Sequence, residues 1–166
     1  MTAMRRTPPL TLRRLTSGER ALAAEVFGQA LDTGRVRLFV LPLWSRAFVP
    51  NGRLVVWPAA AAAEDLAQAP LFLQSQFIHE LVHVWQAQTG VNLLAAKLKA
   101  GDGEASYAYD LADGRPFAAL NIEQQAMVVQ HRFMAERGGA APYPAATYSR
   151  FLGAWPAAAA AKPHAN

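Results

Sequence analysis

The 166-residue sequence predicts a single α+β domain, mainly helical with one small sheet. Three observations predict it. Apolar residues make up 52% of the chain and charged residues 17%, a balance that suits a globular core and not a disordered regulator, although alanine inflates the apolar share. Two segments, one following Pro70 and one following Asn121, carry apolar residues at helical spacing. Two runs of β-forming residues flank Asn51-Gly52, a dipeptide that favours a two-residue hairpin turn in which both central residues take positive φ.

Residues 1–15 read as a flexible basic arm, with Arg5, Arg6, Arg13 and Arg14 in it and Arg20 just beyond. Thr16-Ser17-Gly18-Glu19 has the form of a capping box, and Ala21, Leu22, Val26, Phe27 and Leu31 continue it as a helix to about Asp32. Gly34 stops that helix, and residues 36–43 are rich in β-formers and read as a strand. The hairpin spans residues 48–57. A low-complexity alanine stretch connects it to Pro70, which suits the first turn of a long helix ending near Gly90. Residues 91–116 hold the turn clusters Gly101-Asp102-Gly103 and Asp113-Gly114-Arg115-Pro116 and read as a loop-rich insertion. Asn121 opens the next helix with Gln124 three residues on, carried by Ile122, Ala126, Val129 and Phe133, and Gly138-Gly139 closes it. The domain therefore spans 16–155, and the Ala/Pro-rich residues 156–166 read as a disordered tail.

Composition excludes several chemistries. Without cysteine there is no disulfide, no thiolate nucleophile and no thiolate metal site, so any metal is held by imidazole and carboxylate. No stretch approaches a membrane span and the N-terminus lacks a signal-peptide pattern, which makes the cytoplasm the default expectation and leaves signal-independent export open. The net charge of +4 raises a nucleic-acid or anionic-surface partner, but no zinc-finger, RNA-recognition or helix-turn-helix signature accompanies it, so a solvated basic arm is expected and nucleic acid is not.

Residues 79–83 read His-Glu-Leu-Val-His. Residues four apart point the same way on a helix, so His79 and His83 can offer two imidazole nitrogens to one metal ion. Glu80 sits about 100° round, where it can accept a proton from metal-bound water. Shuffling this composition gives on the order of 0.003 such motifs per chain. Ile78, Leu81, Val82 and Trp85 form an apolar stripe on another side, so the helix can bury one face and aim the histidines into a cleft. Gln86, one turn beyond His83, is either a partner that fixes a ring tautomer or a plain polar helix residue.

A catalytic zinc site usually has three protein ligands and one open position. His131 and His164 do not follow the motif at the short glycine-containing spacing of the three-histidine class. Glu123, in the first turn of the helix after Asn121, is a candidate third ligand, and equally a carboxylate that complements a helix dipole. Asp102, Glu104, Asp110 and Asp113 lie in the loop-rich segment, where no periodicity aims them inward.

His79-Glu80-Leu81-Val82-His83-Val84-Trp85-Gln86 together with Asn121-Ile122-Glu123-Gln124-Gln125-Ala126 resembles the gluzincin metallopeptidases, whose third ligand is a glutamate on a later helix. With Tyr107-Ala108-Tyr109-Asp110-Leu111 before it, the pattern resembles the small bacterial zincins related to type VI secretion spike proteins, across most of residues 16–136. The resemblance implies a zincin-like fold with the hairpin sheet packed on the active-site helix. It also implies Zn2+ held by His79, His83 and Glu123, with Glu80 as general base in peptide-bond hydrolysis. A peptide or protein substrate follows, as does association with a secretion apparatus. Hydrolysis further requires an oxyanion donor, for which Tyr109, Tyr107 and His131 are candidates and Tyr109 is the residue assigned. The hairpin edge can hold an extended substrate. The alternatives are a non-catalytic zinc-binding interaction domain and a basic nucleic-acid or surface-binding module.

Overall fold

The computed structural model describes residues 5–156. Residues 1–4 of the arm, and the tail from residue 157 with His164 in it, lie outside the described residues. The four strands are β1 (Leu12–Arg14), β2 (Arg37–Leu41), β3 (Phe48–Asn51) and β4 (Leu54–Pro58), and the five helices are α1 (Ser17–Phe27), α2 (Leu71–Gln88), α3 (Leu93–Ala100), α4 (Ile122–Glu136) and α5 (Ala145–Leu152). The strands make one mixed sheet in the order β1-β2-β4-β3, with β2 and β4 parallel and the outer pairs antiparallel. The fold is thus α+β with a small mixed sheet. No helix among the described residues is long and apolar enough to cross a membrane.

Helix α2 runs through the middle of the core. From Phe77 to Gln86 every one of its residues is buried, the polar His79, Glu80, His83 and Gln86 included. Trp57 of β4 meets Phe77 edge-on at 6.2 Å between ring centroids, joining sheet to helix. On its other side α2 packs along α4, which buries Ala126, Val128, Val129 and Phe133. The helix ends at Gln88 with Thr89 as its cap, and Gly90 follows at φ +95°.

Both capping boxes form. The Thr16 hydroxyl accepts from the Glu19 amide while Glu19 accepts from the Thr16 amide, and Asn121 and Gln124 do the same at the start of α4.

The structure corrects five local expectations. The irregular arm contains β1, which pairs antiparallel with β2, and Arg13 is an ion-pair partner of the fully buried Glu19 instead of a solvated charge. Helix α1 ends at Phe27 because Gly28 adopts φ +54°, so it does not reach Asp32. The hairpin forms, but its two loop residues are Gly52 and Arg53, with Asn51 opposite Leu54. Its turn is an Asx turn, in which Asn51 Oδ1 accepts from the Arg53 amide at 2.9 Å, and neither Asn51 nor Gly52 has positive φ. Gly52 suits the turn for a different reason, close approach: a Cβ there would lie 3.1 Å from Gln88 Cγ and 3.3 Å from the Gln88 amide nitrogen, at the end of α2. The segment read as loop-rich holds α3, capped by Asn92 and closed by Gly101 at φ +80°. Helix α5 follows Pro144 and buries Tyr148 and Leu152.

Candidate metal centre

Two helices deliver the donors. On α2, His79 and His83 lie one turn apart, their rings edge-to-face with centroids 5.0 Å apart. On α4, Glu123 projects from the first turn with 1% exposure, and its Oε2 lies 3.3 Å from His79 Nε2 and 3.2 Å from His83 Nε2. Ligand atoms of these three residues all lie within 4.8 Å of one another, the one such cluster among the described residues. Glu123 at a helix N-terminus also suits the dipole. The two uses are compatible.

The ring tautomers follow from the outer bonds. His79 Nδ1 lies 3.0 Å from Gln130 Oε1, and His83 Nδ1 lies 2.8 Å from Gln86 Oε1. Each amide is oriented by its own nitrogen. Gln130 Nε2 donates to Ser75 Oγ, and Gln86 Nε2 donates to the Ile122 carbonyl and Gln125 Oε1. An amide oxygen only accepts, so both Nδ1 atoms carry hydrogen, and the Nε2 lone pairs face Glu123. Lone pairs aimed at a carboxylate oxygen repel it unless a cation or protons lie between them. The donor set therefore fits a metal ion, and without one it must hold protons. His83 shows this: burial opposes its charged form, but Glu123, Glu80 and Gln86 together raise its pKa above the usual value. Burial would raise the Glu123 pKa, yet the bonds and charges of His79 and His83 hold it well below the carboxylate range.

The segment Asn121–Gln125 is a wiring unit. Asn121 caps α4 and donates to the Ser106 carbonyl, while Gln124 Nε2 donates to the Ala108 carbonyl. Gln125 accepts from Gln86 and donates to the Phe117 and Leu120 carbonyls. A continuous path of hydrogen bonds thus runs from His83 through Gln86 and Gln125 to the turn before α4.

A cleft of about 830 Å³ opens over the cluster, lined by His79, Glu80, His83 and Glu123. Glu80 is buried, and its Oε2 has no hydrogen-bond partner among the described residues. A buried carboxylate oxygen left unpaired costs stability, which marks it for a partner supplied from the cleft. The edge strand β3 begins at the cleft with Phe48, and Trp44, Phe72 and Met127 add apolar wall.

Tyr109 is not brought to the cleft. Its hydroxyl lies 2.6 Å from both His131 Nδ1 and Tyr148 Oη, and burial together with Tyr148 raises its pKa. Tyr107, two residues earlier, does line the cleft and accepts from Arg46 Nη2 at 3.2 Å. Gln130, Lys97 and Arg46 were missed in sequence. Gln130 had a signal, since it stands seven residues after Glu123, two turns along the same face of α4.

Fold and site together define an α+β domain in which two helices assemble a His-His-Glu cluster able to hold a metal under an open cleft. No family model matches the chain. It is 37% identical, over an alignment of 134 positions that covers 74% of the chain, to the type VI secretion system spike protein VgrG2b of Pseudomonas aeruginosa. The match covers 13% of that protein. The solved effector domain of the same VgrG2b superposes with a TM-score of 0.68 at 34% identity, covering 85% of this chain and 82% of that one. The chain belongs to the family of the VgrG2b effector domain.

Proposed function

We propose that the chain is a zinc-dependent peptidase of zincin type that acts as an effector associated with a type VI secretion apparatus. The observation that carries the catalytic reading is Glu80. A site that only binds metal has no need of a buried carboxylate with a free oxygen between its two histidines. Zinc fits the donor set: ligands about 2.0–2.2 Å from a tetrahedral ion stand roughly 3.3–3.5 Å apart, against the 3.2 and 3.3 Å between Glu123 Oε2 and the two imidazole nitrogens. When bound, zinc supplies the Lewis acidity that makes water nucleophilic near neutral pH and polarises a carbonyl. Glu80 receives the water's proton on Oε2 and delivers it to the leaving amine. Gln130 and Gln86 hold the imidazoles in the tautomer that leaves Nε2 free to bind. Along the edge strand β3, unpaired backbone groups can align an extended peptide. For the developing oxyanion, the assignment to Tyr109 gives way to Tyr107, which lines the cleft. The relation to a spike protein supports the delivery half of the proposal, because VgrG2b carries a domain of this kind as part of a longer chain.

The test is Glu80→Gln. The variant should retain stoichiometric zinc by elemental analysis and lose about 10²- to 10⁴-fold in turnover of a fluorogenic random-peptide library. Unchanged cleavage would refute the role of Glu80, and wild-type protein without a bound divalent ion would refute the metal centre.

A further inference from the structure

The two oxygens of Glu123 have different surroundings. Oε2 faces both imidazole nitrogens, at 3.2 and 3.3 Å. Oε1 is buried and accepts no hydrogen bond among the described residues, while the Lys97 ammonium stands 3.4 Å from it. Lys97 belongs to α3, which packs on α4, and lines the same cleft with its side chain 45% exposed. Its backbone is tied at the end of the helix, where the Gly101 amide donates to the Lys97 carbonyl.

From this asymmetry we infer that Lys97 is a positioning residue, which draws Oε1 aside so that Glu123 offers the metal a single oxygen and keeps the remaining coordination position open for water. The inference rests on the metal-site reading above. The physical reason is denticity. A carboxylate free to turn can place both oxygens on a metal and fill a position that hydrolysis needs. An ammonium beside one oxygen stabilises the rotamer in which that oxygen points away. Lys97 itself contributes a point charge on a flexible stem, so it can hold Oε1 without contributing a ligand.

The sign of the effect on metal affinity separates this role from a bystander's. A cation near a metal site repels the ion, so removing a bystander lysine tightens binding. Removing a residue that orients a ligand loosens it, typically 10- to 100-fold. Zn2+ affinity of the wild type, Lys97→Met and Lys97→Arg is measured by competition with a chromophoric chelator. Thermal unfolding of each metal-free protein checks that all three fold. Lys97→Met should bind tenfold or more weakly, and Lys97→Arg should recover most of that loss. Visible absorption of the Co2+-substituted proteins supplies a readout independent of activity, since band intensity reports coordination number and geometry. Lys97→Met should shift toward the weaker bands of a higher coordination number, and Lys97→Arg should match the wild type. Equal or tighter Zn2+ binding by a folded Lys97→Met, or an unchanged Co2+ spectrum, overturns the inference. A wild type that binds neither ion overturns the metal centre and this inference with it. Normal metal binding without peptide cleavage would count against the peptidase reading alone.

Discussion

Replacing Arg13 with alanine probes the contact that ties the N-terminal strand to the framework of the site. Arg13 donates from Nη1 to Glu19 Oε2 and from Nη2 to Glu19 Oε1, both at 2.7 Å, and the Glu19 side chain is wholly buried. Glu19 also accepts from the amides of Thr16 and Leu66, at 2.9 and 3.0 Å, so one carboxylate joins β1, α1 and the turn leading into α2. Arg13→Ala leaves those two backbone bonds in place and removes the one cation paired with Glu19 among the described residues. An uncompensated buried charge of this kind costs about 3–5 kcal/mol. For a domain of this size 1 kcal/mol corresponds to about 2–4 °C, which places the fall in Tm at roughly 6–20 °C. The assay is calorimetric unfolding after chelator treatment, so that metal linkage does not contribute. Because the loss comes from a stranded charge, Arg13→Met combined with Glu19→Gln should regain a large part of it. A fall that corresponds to less than about 1 kcal/mol, the scale of an exposed pair, would refute the reasoning.

Gln130→Leu deletes the acceptor for His79 Nδ1–H with little change in volume. Zn2+ affinity should drop about 10- to 100-fold, measured by chelator competition, and an unchanged affinity would show that Gln130 does not set the tautomer. Tyr107→Phe and Tyr109→Phe form a contrasting pair. Tyr107→Phe should lower kcat on the peptide library at least tenfold if its hydroxyl meets the oxyanion. Tyr109→Phe should leave kcat within about twofold and lower Tm, because its hydroxyl is used inside the fold. The reverse pattern would restore Tyr109 to the role first assigned to it.

Much of the site was legible because helical spacing is a strong code. Once α2 was recognised, His79 and His83 could be placed on one edge and Glu80 about 100° round from it without any tertiary information, and the Asn121/Gln124 capping box located the start of α4 to the residue. What failed were positions decided by packing. Leu12–Arg14 is too short a strand to announce itself, and it exists because β2 offers an edge to pair with. Helix α3 carries an Asn cap, lysines in its last turn and a closing glycine, but the turn clusters that follow it outweighed those signals. Missing α3 hid Lys97. Tyr107 and Tyr109 were indistinguishable in sequence, because irregular backbone has no fixed period to say which side chain faces the cleft.

Drawing two donors from α2 and one from α4 has a consequence beyond chemistry. The separation of His79 and His83 is set within one helix, so that pair exists wherever α2 is helical. Glu123 joins it only when α4 has docked. An ion that prefers three donors to two is therefore a clasp between the helices, and its affinity is a gauge of how completely the interior has assembled. Metal supply would then govern more than turnover: a chain folded in its presence would gain resistance to unfolding by mass action, and one deprived of it would hold the α2–α4 seam by side-chain packing alone.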